Sequence, residues 1–250
     1  MKNIQQITRV SSIVIVTIAS TTLYAEEPAS PWTTKAELGY VVTSGNSETS
    51  TINARIDATH ETKGESWRHN LRAEAFGAKT TDTTTGIETA SAERYQLSGK
   101  SDYKFNETDY AFILLNYDKD RFSGFDYQAT LAAGYGKRIL NDQDMTLDID
   151  IGPGVRSVKD SISQQTDSEG LLRLGAKYVW KISDNSTFSE ELTSDVASNL
   201  TVTKSVTALS ANINSSLAMK LTLTVKNNSE VPAGKEKTDT ETAVTLVYSF

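Results

Sequence analysis

The chain contains no cysteine, which removes a disulfide framework and a thiolate metal site as means of stabilising it. Its only histidines are His60 and His69, so chemistry that needs several imidazoles has almost nothing to draw on. After residue 25 no run approaches the roughly 20 apolar residues that a spanning helix requires. There is no phosphate-cradling glycine loop and no basic patch, which excludes the usual routes to nucleotide or nucleic-acid binding. Cations are the minority charge, 25 Lys and Arg against 32 Asp and Glu, for a formal net charge of −7.

What is present begins with an export signature. Lys2 and Arg9 precede a mostly apolar run from Ile13 to Ile18, followed by Thr-Thr-Leu-Tyr-Ala ending at Ala25. This is the charged, apolar, small-residue order of a cleaved secretory signal and is too short to span as a helix. Residues 1–25 are therefore expected to be removed and residues 26–250 to form one domain. Loss of Lys2 and Arg9 leaves 23 basic against 32 acidic residues, an acidic exported protein with a formal charge of −9.

The remainder divides into about twelve segments whose side chains alternate between apolar and polar with period two. They fall near 33–43, 49–60, 66–79, 90–103, 107–118, 125–139, 143–157, 169–182, 186–197, 203–214, 216–227 and 238–250. In the second, Ile52, Ala54, Ile56 and Ala58 oppose Asn53, Arg55 and Asp57; in the eleventh, Leu217, Met219, Leu221 and Leu223 oppose Lys220, Thr222 and Thr224. Segments of this length suit strands that cross a bilayer at a tilt, and alternation averages to low hydropathy while one face stays oily. Trp67, Tyr103, Tyr110, Tyr135, Tyr178, Trp180 and Tyr248 lie toward segment ends, where an interfacial aromatic girdle would sit. Short connections such as 141–142 and 214–215 alternate with longer ones such as 80–89, 157–168 and 228–237. An antiparallel up-and-down transmembrane β-barrel of about twelve strands follows, with both termini on the short-turn side. Two strands fit poorly. The fifth, Tyr110 to Leu115, is apolar on both faces, and the ninth sets Glu190 in line with Phe188, Leu192 and Val196, which calls for a bulge, a shifted register or a position near the interface.

The last strand runs to the final residue with Thr242, Val244, Leu246, Tyr248 and Phe250 on one face. A terminal Phe with a Tyr two residues earlier resembles the assembly signal of bacterial outer-membrane proteins, so Tyr248 and Phe250 are candidates for recognition by a barrel-assembly machinery. At the first hairpin, Leu38-Gly39-Tyr40 leads into Ser44-Gly45-Asn46-Ser47-Glu48-Thr49. With eleven further strands and the aromatic end, the chain resembles the YdiY-type family of salt-induced outer-membrane proteins over essentially its whole mature length. That resemblance implies a Gram-negative outer-membrane barrel among lipid and lipopolysaccharide, with no catalytic residues to transfer and a link to salt or osmotic stress.

The polar faces carry the candidate functional set: Arg55, Asp57, Arg68, Arg72, Glu74, Arg94, Lys100, Arg138, Asp148, Asp150, Arg156, Arg173 and Lys177, with Lys35, Glu37, Lys220 and Lys226 in the same ladder. Charges of both signs in an enclosed space must pair or meet water. If water fills the lumen, the barrel is a narrow pore for small hydrophilic solutes. If the pairs close it, the barrel is a structural or adhesive platform whose outer loops bind a partner. Enzyme chemistry is not expected. His60 and His69 lack a third ligand by spacing and belong near a turn, and no Ser, His and carboxylate arrangement stands out, although a hydrolase remains the minor alternative. Asp142, Asp144, Asp148 and Asp150 lack the Gly and terminal Glu of a calcium loop. No cofactor or metal is expected.

Overall fold

The computed structural model describes residues 31–43, 48–61, 64–82, 85–121, 123–161, 163–231 and 236–250. The proposed signal segment and the Ser44–Ser47 turn lie outside the described residues. Twelve strands follow in order: β1 Trp32–Thr43, β2 Glu48–Glu61, β3 Trp67–Thr81, β4 Glu88–Lys104, β5 Asp109–Asp120, β6 Phe125–Asn141, β7 Met145–Asp160, β8 Thr166–Ser183, β9 Ser186–Ala197, β10 Val202–Asn212, β11 Leu217–Asn228 and β12 Thr238–Ser249. Each pairs antiparallel with its sequence neighbours, and β1 meets β12 to close the ring. Closure leaves no sheet edge along the ring, which is the condition for strands to cross a bilayer.

Parity sorts the side chains as the period of a strand requires. Leu38, Ile56, Leu97, Ile113, Val155, Leu192, Leu221 and Leu246 point outward and are 45–59% exposed. A monomer in water does not carry a continuous apolar belt of this size; a bilayer covers it. Rings collect at the turn end of β1–β4, where Trp32 meets His60 at 4.9 Å, His60 meets His69 at 6.0 Å, Trp67 stacks on His69 at 5.7 Å and Tyr103 meets Trp67 at 5.1 Å. Such a girdle is what an apolar–polar boundary selects.

Strand 5 owes its two apolar faces to a filled interior. Ile113 and Leu115 face outward, whereas Tyr110, Phe112 and Leu114 point into the barrel at 3–5% exposure and pack with Ala132. Tyr110 therefore leaves the aromatic girdle in which the sequence placed it. Room for it comes from Gly136: a Cβ there would stand 2.2 Å from the Tyr110 ring and 2.5 Å from Asp150. The Tyr110 hydroxyl donates to Asp150 Oδ1 at 2.6 Å, and the Lys100 ammonium lies 5.0 Å over the Phe112 ring, a favourable cation–π arrangement.

Glu190 does face outward, between Phe188 and Leu192. The β9–β10 register runs unbroken past it, so neither a bulge nor a slip explains it. Its two oxygens accept hydrogen bonds from Ser205 at 2.6 Å and Thr207 at 2.5 Å, hydroxyls on the same outer face. Register shifts occur instead at 78/79, 125/127, 138/140 and 181/183, close to strand ends.

Connections are shorter than the sequence suggests on the loop side. The stretch from 157 to 168 is largely zipped, with Ser157 paired to Ser168 and Lys159 to Thr166, because a strand that emerges into water keeps its ladder without needing apolar alternation. The expected two-residue turn at 214–215 is instead 213–216, with Asn214 Oδ1 accepting from the backbone N–H groups of Ser216 and Leu217, both at 2.9 Å.

Gly136→Ala is expected to destabilise the barrel by about 1–3 kcal/mol, the scale of core overpacking. The reading is the midpoint of urea unfolding in lipid vesicles, with Gly170→Ala, whose Cβ would meet nothing within 4 Å, as the neutral comparison. Equal midpoints for the two would contradict the packing described.

Candidate functional site

The inner face carries several groups of ion pairs and charged hydrogen bonds, to which β1–β4 and β6–β12 each supply a charged side chain. At the turn end Arg68 donates to Asp102 at 2.8 Å and lies 3.8 Å from Asp148, which also accepts from Arg138 at 2.7 Å. Asp102 has no exposed surface. Lys100 joins this group to Asp150 at 2.5 Å, and Asp150 holds Tyr110. Arg68, Lys100, Arg138, Asp148 and Asp150 thus form one cluster packed against the aromatic filling on β5.

A second group sits at mid-height. Arg55 and Arg72 both reach Asp57, at 2.5 and 2.7 Å, and Lys220 reaches Glu37 at 2.8 Å with Arg55 4.0 Å away. Arg72 extends a second nitrogen to Glu191 at 3.4 Å. β3 and β9 stand six places apart in a ring of twelve, so this pair spans the lumen. Lys177 is directly across the ladder from Glu191, so a second cation stands on the strand beside that carboxylate. Lys204 of β10 reaches Gln96 of β4 at 3.2 Å, again across half the ring.

Toward the loop end, Arg94 bridges Glu74 at 3.1 Å and Glu241 at 2.8 Å, and Arg173 pairs with Asp195 at 2.8 Å. Arg156, only 2% exposed, binds Glu169 at 2.5 Å and also donates to the Leu200 carbonyl. The Glu169 carboxylate accepts the Asn199 N–H at 3.2 Å. Connection 198–201 is held inward over the mouth by these contacts.

A cavity of about 30 Å³ lies between the charged inner face of β1–β3 and a mixed face of β10–β12, where Lys204 and Glu241 stand among Val206, Thr222, Thr224 and Thr245. It has room for a water or two. Parity named most of the cations, but the carboxylates that complete the mesh, Asp102, Glu169, Glu191, Asp195 and Glu241, were not among the candidates. Glu191 was legible, since its neighbour Glu190 shares a face with Phe188 and the next residue must point the other way. His60 and His69 lie on the outer side in the ring girdle, where His69 Nδ1 is 2.9 Å from Ser101 Oγ. Among the described residues no group of three or more His, Cys, Asp or Glu is arranged to hold a metal ion.

Comparisons with known proteins agree with this architecture. A family model described as "Protein of unknown function, DUF481" matches residues 36–250. "Uncharacterized protein YdiY" of Escherichia coli (strain K12) is 29% identical over 229 residues, covering 90% of this chain and 87% of that one. The solved NanC porin superposes with a TM-score of 0.53 at 11% identity, covering 86% of this chain and 98% of its own. An outer membrane channel from Pseudomonas putida F1 superposes at 0.48 and 9% identity, covering 88% of this chain and 94% of that one. At 11% identity the likeness to the NanC porin is one of fold.

The cross-lumen contact makes a thermodynamic statement. A double-mutant cycle with Arg72→Met and Glu191→Gln, read by urea unfolding in vesicles, is expected to show coupling of about 1 kcal/mol or more. Strict additivity of the two changes would mean that the pair does not form.

Proposed function

The chain belongs to the DUF481 family, and from that premise we propose that it is a Gram-negative outer-membrane barrel whose lumen is a narrow hydrophilic conduit, held shut at rest by ion pairs that span it. The observation that carries this reading is the Arg72–Glu191 contact between strands on opposite sides of the ring. A purely structural barrel gains more from an apolar filling, because replacing buried ion pairs by well-packed hydrophobic residues is often neutral or stabilising. Charges that both cross the lumen and border a polar cavity instead retain a hydrated path once they part.

In this reading the chain is exported by cleavage after Ala25, is inserted by the barrel-assembly machinery through Tyr248 and Phe250, and sits among outer-membrane lipid and lipopolysaccharide. It passes small hydrophilic solutes only, and it is not an enzyme. Increased ionic strength weakens the exposed members of the mesh, which connects the mechanism to the envelope role under salt or osmotic stress that the family resemblance implies. The competing reading is a closed platform whose loops bind a partner, and the pinning of connection 198–201 by Arg156 and Glu169 favours it.

Planar-bilayer conductance of the purified protein separates the two. The conduit predicts rare, small openings for the unaltered chain and openings at least several-fold more frequent for Arg72→Ala and for Glu191→Gln, with altered ion preference. Electrically silent barrels in all three cases would overturn it in favour of the platform.

A further inference from the structure

One row of the inner wall leaves polar groups unmatched. Asn116 of β5, Thr130 of β6, Arg156 of β7 and Glu169 of β8 are successive cross-strand partners, so all four lie in one row toward the loop end. Arg156 is 2% exposed. Its Nη2 makes both of its hydrogen bonds, to Glu169 at 2.5 Å and to the Leu200 carbonyl. Nε and Nη1 are buried with no hydrogen-bond partner among the described residues, and so is Asn116 Oδ1. A buried donor or acceptor without a partner forfeits its hydration and gains nothing in return. Here unmatched donors and an unmatched acceptor share a row, with only β6 between them.

A connection, not a strand, covers this row. β9 ends at Ala197, opposite Leu171 and two residues short of Glu169. From there residues 198–201 turn inward: Leu200 is 8% exposed, and the Asn199 N–H reaches Glu169 at 3.2 Å. Thr201 is anchored on the far side, its N–H donating to Ser229 Oγ and its carbonyl accepting the Ser229 N–H, both at 2.9 Å. The Leu200 carbonyl on Arg156 is a neutral acceptor, set on a guanidinium whose charge Glu169 already balances.

We propose that Arg156 and Asn116 form a binding site at the outer mouth for a neutral polyhydroxylated solute of monosaccharide size, and that the Leu200 carbonyl stands in for the solute on Arg156 until the solute displaces it. Hydroxyl groups both accept and donate, so one ring can take the Nε and Nη1 protons and give a proton to Asn116 Oδ1. An oxyanion accepts only, meets the charge of Glu169 and leaves Asn116 unmatched. A cation is repelled by Arg156. The site names a solute for the conduit and rests on that reading for passage alone, since occupancy is measured without it.

Saturation-transfer NMR titration in sugar-free micelles of lauryldimethylamine oxide reads occupancy, with glucose as the probe and glucuronate, the same ring bearing a carboxylate, beside it. Glucose is expected to bind, and Asn116→Ala and Arg156→Met each to raise its dissociation constant about ten-fold, the scale of one hydrogen bond lost with its partner left unpaired. Glucuronate is expected to bind more weakly than glucose. A spin label on Asn199→Cys, a single site because the chain has no cysteine, is expected to gain mobility as glucose saturates. No binding of glucose, or binding that either variant leaves unchanged, would overturn the site and assign those polar atoms to water. Tighter binding of glucuronate would overturn the solute class, and bound glucose beside an unmoved label would overturn the displacement of Leu200. Should Arg156→Met fail to fold, Asn116→Ala decides alone. Glucose bound by a barrel that passes no current contradicts the conduit and leaves the site standing.

Discussion

In hydrocarbon a backbone N–H or C=O has no water to turn to, and each one left unpaired costs several kcal/mol. Pairing every strand with both neighbours in a closed ring meets that demand, and the rest of this structure follows from it. Once the ring is closed, the period of two divides the residues into an outer set that must suit lipid and an inner set enclosed in a space too narrow to fill with bulk water. The apolar belt of Leu38, Ile56, Leu97 and Leu221 and the ionic mesh around Asp57, Asp102 and Glu191 are two results of one constraint.

The interior is packed in two different ways. Beside β5 it is packed like a soluble core, with Tyr110 and Phe112 against glycine-bearing strands and two cations, Arg68 and Lys100, over the Tyr110 ring. Toward β10–β12 the wall carries small and hydroxyl-bearing residues beside Lys204 and Glu241, and long charged side chains from β2 and β3 face it. That asymmetry places the cavity on the β10–β12 side of the barrel. Where a carboxylate faces outward, at Glu190, two neighbouring hydroxyls take up its oxygens, the same rule of polar satisfaction applied on the lipid side.

Strand number, antiparallel order and facing were legible because alternation is strong wherever one face meets lipid; the short turns near 104–106 and 183–185 follow from the same pattern. Strand ends on the loop side were not, since above the membrane the ladder from Ser157 to Asp160 continues with polar residues on both faces and leaves no periodic signal. Parity could say that Arg72 points inward but not that it meets Glu191, because the partner across a barrel depends on the cumulative stagger of six strand pairings. The double apolar face of β5 concealed an inner aromatic filling whose counterpart in the sequence is Gly136, far along the chain from Tyr110. Glu190 looked like an error of register because its satisfying hydroxyls sit on the next strand.

The central claim is that alternate residues meet lipid and lumen. Single cysteines placed in turn from Leu217 to Asn228 and labelled with a fluorophore in vesicles, then exposed to a lipid-confined nitroxide quencher, read that claim residue by residue. The account predicts strong quenching at Met219, Leu221 and Leu223 and weak quenching at Lys220, Thr222 and Thr224. Uniform quenching along the strand, or none at either parity, would contradict it.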